Sequence, residues 1–202
     1  MISHRSRGAI FRYLALFILA SGTSLACEAG VDMNINANII NNTCNVTVEN
    51  NGSVHLPTVS RDYFSPRGNP PAPLSPTDAA GGQPFKITVD DCVDWVQGEA
   101  NRLHFQFKPV SEQFPAQSKQ VFINEASPSS GGAENVGVVI FSALTNTNVL
   151  KSDGSSDVIY DVQDQTSSEY LTDYLFYARY QNTGVVSAGR VASNIMVSVI
   201  YD

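Results

Sequence analysis

Four kinds of side chain in this 202-residue sequence carry chemistry of their own: three cysteines (Cys27, Cys44, Cys92), three histidines (His4, His55, His104), the paired carboxylates Asp90 and Asp91, and the single tryptophan, Trp95. Histidine and carboxylate suit acid–base work, and cysteine suits nucleophilic, redox or metal chemistry. Their spacing supports none of these. Only two histidines lie beyond residue 29, and neither a G-x-S-x-G turn nor an H-E-x-x-H helix is present. Adjacent residues of a strand point to opposite faces, so Asp90 and Asp91 are expected to diverge and be solvated. Trp95, in DDCVDWVQGE, is the one side chain suited to stacking on a sugar, but Trp is highly buried on average, and core or sheltering surface is the plainer expectation. The N-x-S/T triplets at Asn41, Asn45 and Asn51 fit a glycosylation pattern that an Asn-rich strand-and-turn region produces by chance. The expectation is a protein with no enzymatic activity, cofactor or metal.

The cysteines gain a use from the segment before them. MISHRSRGAIFR carries Arg5, Arg7 and Arg12 with no acid, YLALFILA follows as eight apolar residues, and SGTSLACEA supplies small residues. That order is a secretory signal peptide, and eight apolar residues are fewer than half of the about 20 that span a bilayer. Cleavage after Ala26 leaves Cys27 at the new terminus. Cleavage after Ala29, which cysteine parity favours, makes 1–29 the signal and leaves Cys44 and Cys92 as a pair in a compartment where disulfides persist. Such a bond stabilises by about 4 kcal/mol in the chain-entropy model, the alternative being two buried thiols.

Removing that segment takes the net charge from −7 to −9. An acidic surface argues against nucleic acid and anionic membrane as partners. The remaining length suits one domain with one core. From residue 31 apolar residues alternate, and Val, Ile, Thr, Tyr and Phe fill segments bounded by Gly, Pro, Asn and Ser, an all-β pattern. Strands are expected near 31–40, 44–48, 53–57, 85–90, 102–109, 119–123, 136–142, 158–162, 170–180 and 191–201, a number and spacing that suit a two-sheet sandwich. Ser65 to Pro84 holds six of the ten prolines and is expected to be a surface loop.

Both ends are strands. VDMNINANI places Val31, Met33, Ile35, Ala37 and Ile39 on one face, and NIMVSVIYD places Ile195, Val197, Val199 and Tyr201 on one face, with no strand after them. A sandwich without its final strand has an open edge that another chain can fill by strand addition. Burying the first set contributes on the order of 5–12 kcal/mol gross, comparable with the stability of a whole domain.

Four stretches, in order, resemble the subunits of chaperone–usher pili, the type 1 fimbrial family. VDMNINANIINNTCNV resembles the family's N-terminal extension running into the first strand and first cysteine, FKITVDDC the segment bearing the second, and NVGVVI a middle strand. YLFYARYQNTGVVSAGRVASNIMVSVIYD resembles the C-terminal signature, with Gly189 fourteenth from the end and Tyr201 penultimate. The resemblance covers nearly all of the mature chain. It implies an incomplete immunoglobulin-like sandwich lacking its last strand, with a donor extension at 30–43 and a pilin domain at 44–202. The donor face would be Val31, Met33, Ile35, Ala37 and Ile39. The acceptor edge and chaperone-recognised C-terminus would be Gly189, Ile195, Val197, Val199 and Tyr201. The partners it implies are a periplasmic pilus chaperone that lends a strand, an outer-membrane usher, and neighbouring pilus subunits whose extension replaces that strand at the cell surface. Two departures, Ala37 where the extension usually has Gly and extra length at 61–84, lean towards a minor or adaptor subunit. A tip adhesin binding a glycan, or a self-contained secreted immunoglobulin-like domain, are the alternatives.

Overall fold

The computed structural model describes residues 33–36, 42–64, 82–93 and 101–202. The chain runs through β1 (Met33–Asn36), β2 (Thr43–Val48), β3 (Ser53–Val54), β4 (Gln83–Cys92), β5 (Arg102–Pro109), β6 (Phe122–Ile123), β7 (Val136–Ser142), β8 (Thr147–Asn148) and β9 (Val158–Asp161). A short helix α1 (Ser167–Tyr170), β10 (Asp173–Asn182) and β11 (Ser193–Tyr201) complete it. The strands form one curled sheet that folds into two facing layers. β4, β10 and β7 pair antiparallel in one layer, with β6 and β8 on β7, while β11, β5 and β9 pair antiparallel in the other. β2 turns the corner, pairing with β4 through Cys44–Cys92 and with β11 through Val199–Cys44 and Ile200–Thr43.

Alternation decides which faces meet. Phe105 and Phe107 on β5 and Tyr160 on β9 meet Tyr174 and Phe176 on β10, with ring centroids 4.6 to 6.4 Å apart. Such aromatic pairs add stabilisation beyond the area they bury. Burial pushes the phenols of Tyr160 and Tyr174 above their ordinary range. All seven residues of β7 are buried: Val138 and Ile140 join the main core, while Val139 and Phe141 pack with Val121 in a second cluster. The guanidinium of Arg179 lies 4.8 Å above the Phe141 ring.

The expected all-β fold is present, with differences at particular residues. Gln83 and Pro84 belong to β4, not to the proline-rich loop, and Pro84 pairs with Tyr177 one residue inside the strand start, where a missing N–H is tolerated. Asp90 and Asp91 do not diverge: the β2–β4 register steps from Asp91 to Val89, which makes Asp90 the extra residue of a bulge, and both carboxylates are exposed. The Thr47 hydroxyl donates to Asp90 at 2.6 Å. β3 stops at Val54 and β6 begins at Phe122, both shorter than expected, and neither β8 nor α1 was anticipated. The segment 1–29, the loop 65–81, Trp95 and Asn41 lie outside the described residues.

Candidate strand-accepting edge

The site is built on β11. Its inward residues Ile195, Val197 and Val199 are at most 1% exposed, and its outward residues are half-buried. One edge pairs antiparallel with β5 from Ile195–Pro109 to Tyr201–Leu103. The opposite edge, the expected acceptor, is shared. β2 takes Val199 and Ile200, and β1 takes Ser193 to Met196. β1 runs parallel to β11, with Met33 opposite Ser193 and Ile35 opposite Ile195, and its other edge pairs antiparallel with β3. Two of the five expected donor residues, Met33 and Ile35, therefore stand beside the chain's own acceptor edge. Val31, Ala37 and Ile39 lie outside the described residues.

The C-terminal end of β11 is fixed by main chain and phenol. The Tyr201 N–H donates to the Asn42 carbonyl at 3.0 Å, and its hydroxyl donates to the Val93 carbonyl. The Asp202 carbonyl accepts from the backbone of Asn101 and Arg102, whose Nε lies 3.7 Å from the Asp202 carboxylate. Cys44 and Cys92, next to these contacts, form the disulfide.

At the start of β11, sequence reasoning missed the organiser. The Asn124 side chain donates to the carbonyls of Ala133 and Arg190 at 2.7 and 3.0 Å and accepts from the N–H groups of Ala126 and Ala192 at 3.0 and 2.8 Å. One amide thus ties three segments together, and a polar residue following the apolar VFI run gives no warning of it. Ser193, fully buried, donates to the Ile123 carbonyl at 2.7 Å. Gly189 stands where the chain runs parallel beside Gly131–Ala133, with Gly132 bridged to Arg190: an added Cβ would sit 2.4 Å from the Ala133 nitrogen. Gly137 of the NVGVVI stretch has the same reason, since a Cβ there would lie 2.2 Å from the Phe122 carbonyl oxygen. Close backbone approach accounts for both glycines.

Beyond this end opens a cavity of about 310 Å³ lined by Val59, Phe64, Val136, Tyr180, Val186 and Val191. Burial pushes the Tyr180 phenol up to about 12, and its ring meets Phe64 edge-on at 6.3 Å. The lining is chiefly apolar, so the cavity suits a hydrophobic side chain better than a polar ligand.

The residues with intrinsic reactivity do not converge here. His104, on β5, has Nδ1 2.8 Å from the Asp157 carboxylate, and its Nε2 lies 3.3 Å from that of Asp202 without hydrogen-bond alignment. His55 is exposed in the segment after β3. Among the described residues no three His, Cys, Asp or Glu gather to hold a metal ion.

Comparison with known proteins agrees with this architecture. The family described as fimbrial protein matches residues 33–202. An uncharacterized fimbrial-like protein of Escherichia coli K12, YadK, is 34% identical over 98% of this chain and 100% of its own length. The F17 fimbrial protein of Escherichia coli is 27% identical over 92% of this chain and 96% of its own. The minor fimbrial subunit HifD of Haemophilus influenzae is 28% identical over 79% of this chain and 68% of its own. With its all-β sandwich, its disulfide between the first strands and its terminal strand β11, this chain belongs to the fimbrial protein family and is a structural or adhesive subunit of a surface-displayed fimbria, with other pilus subunits as partners.

Proposed function

We propose that the chain polymerises by donor-strand exchange, its face Val31, Met33, Ile35, Ala37 and Ile39 entering the β11 edge of a neighbouring subunit. The observation that carries this reading is the make-up of that edge. The inward side of β11 is as dry as a domain core, yet at Ser193 to Met196 its edge is held by a strand from the chain's own N-terminus, the segment that a neighbour would also supply. A strand running antiparallel to β11 would carry its last apolar residue, Ile39, towards the cavity beside Gly189 and Val191. Main-chain hydrogen bonds supply affinity in this mode, and alternate side chains supply register.

On the same reading a periplasmic chaperone covers the edge before assembly, and an outer-membrane usher passes the subunit to the surface after removal of residues 1–29. The work done is structural, without catalysis, cofactor or metal. Gly189 and Tyr201 act by shaping the ends of β11: Gly189 lets the chain lie close beside residues 132–133, and Tyr201 anchors the end of the strand to Val93.

The test is co-purification from periplasm with and without the pilus chaperone, comparing the mature chain with one truncated before Asn194. A soluble one-to-one complex that truncation abolishes is the expected result. A stable mature monomer that neither binds chaperone nor takes up a peptide of residues 31–39 would overturn the reading.

A further inference from the structure

One largely buried histidine lies between two acids. His104 of β5 stands opposite Ile200 of β11 on one side and Ile159 of β9 on the other. Its side chain is 14% exposed, with Nδ1 2.8 Å from the Asp157 carboxylate and Nε2 3.3 Å from that of Asp202. Nε2 is sealed from solvent and has no hydrogen-bond partner. A neutral imidazole has one N–H and one lone pair. Whichever nitrogen carries the proton, the other turns its lone pair towards a carboxylate, so the neutral ring serves one acid and repels the other. The imidazolium donates from both nitrogens and serves both. The other charged groups around the ring are Arg102, with Nε 3.7 Å from Asp202, and Lys151, with Nζ 3.8 Å from Asp157, while Asp161 stands opposite Arg102 on β9. Each cation lies nearest the carboxylate oxygen that the ring does not approach, so neither takes the ring's place.

We propose that His104 is a proton-operated clasp on the end of β11: the imidazolium binds Asp157 and Asp202 together, and loss of its proton releases Asp202. The two acids belong to different segments, Asp157 just before β9 and Asp202 just after β11. The Asp202 side chain is 58% exposed, so its carboxylate can turn into line with Nε2 without a shift of the main chain. With the ring neutral, the last rungs of the β5–β11 ladder rest on main-chain bonds between Arg102 and Asp202, at 3.1 and 3.2 Å. Strand ends held in this way open locally at little cost. The proton binds more favourably when the end is closed, so closure strengthens as pH falls through the histidine range and weakens as pH rises through it. A subunit in an acidified medium keeps the end of β11 docked, and one at alkaline pH exposes it more often. The clasp concerns the end of β11 itself and holds whether or not a donor strand enters that edge.

The experiment follows amide exchange of the mature chain by NMR at pH about 8 and about 5.5, a window in which histidine titrates and carboxylates stay ionised. Each rate is divided by that of the unstructured peptide at the same pH. The expected result is protection of the Tyr201 and Asp202 amides about fivefold or more greater at the lower pH, with Phe176 to Tyr180 on β10 changing less than about twofold. His104→Gln, neutral at every pH, should abolish the difference. Asp202→Asn presents an amide that can donate to the neutral ring. It should hold the end at pH about 8 as firmly as wild type is held at about 5.5, and it serves if His104→Gln does not fold. Equal protection of wild type at the two pH values, or a difference that survives in either variant, would overturn the clasp. Neither result bears on uptake of the 31–39 peptide, so the donor-strand reading stands or falls separately.

Discussion

β10 and β11 lie in opposite layers, both with inward residues essentially without exposure, and they are held in different ways. β10 is paired on both edges by strands from the interior of the sequence, β4 from Asp173 to Ala178 and β7 from Phe176 to Asn182. β11 has an equally continuous partner on one edge, but on the other it has a corner strand at Val199 and Ile200 and a four-residue terminal strand at Ser193 to Met196. Equal burial with unequal pairing separates two roles that a core strand usually combines. β10 fixes the sandwich, and β11 is finished by a short terminal segment, the one that the proposed donor-strand exchange would replace.

The sharpest way to test that division is to damage each strand's inward face. Phe176→Ala removes a ring shared by Phe85, Phe105, Phe107 and Tyr160 and should cost about 3–5 kcal/mol in urea unfolding without a specific effect on strand uptake. Ile195→Ala should cost less, about 2–4 kcal/mol, and should also weaken uptake of the 31–39 peptide. If both variants lose the same stability and bind peptide alike, the two strands do not differ as described.

A smaller effect is expected at the glycine that lets the chain enter β11. Gly189→Ala drives a Cβ against the backbone at Ala133 and should cost about 1–3 kcal/mol by chemical denaturation, through backbone displacement at the mouth of the cavity. Deleting residues 30–36 should leave amide exchange in β10 unchanged while raising it about tenfold, equivalent to about 1.4 kcal/mol, at residues 193–198. Uniform acceleration would mean that β1 supports the whole sandwich instead of one edge.

The smallest effect concerns acid. At the start of β10, hydrogen bonds from Lys86 and Thr88 hold the Asp173 carboxyl below its ordinary range, and the Thr166 backbone N–H and hydroxyl do the same for Glu169. A carboxylate lowered on folding contributes stability that is present above its unfolded value and lost as pH falls through the folded value. Asp173→Asn and Glu169→Gln should therefore lower stability slightly at neutral pH, the loss being small because both groups are exposed, and converge with wild type as pH falls below the ordinary carboxylate range, so that the acid limb flattens. A melting-temperature series from neutral to acid pH measures this.

The strands that matter were legible because period-2 alternation is strong where one face is buried. The expected 102–109 and 136–142 coincide with β5 and β7 residue for residue, and both cysteines are paired as parity implied. Features set by a partner far away in sequence were not legible. The bulge at Asp90 arises from the mismatch of β2 and β4, α1 is a four-residue capped turn, and Asn124 gains its role only when residues 133 and 190–192 come beside it. Alternation also says nothing of strand direction. The parallel direction of β1 is set by its pairing with Ser193 to Met196, far away in sequence.

The Cys44–Cys92 bond has a mechanical meaning in a fibre. If neighbouring subunits are joined through the N-terminal segment, as proposed, tension reaches the sandwich at β2, where the disulfide joins residues separated by 48 positions. That stretch, about 160 Å of contour at about 3.4 Å per residue, is shunted out of the force path. A subunit pulled hard enough to unravel from this end would lengthen by that much less, and the bond between β2 and β4 would carry the strain to the layer that β10 anchors.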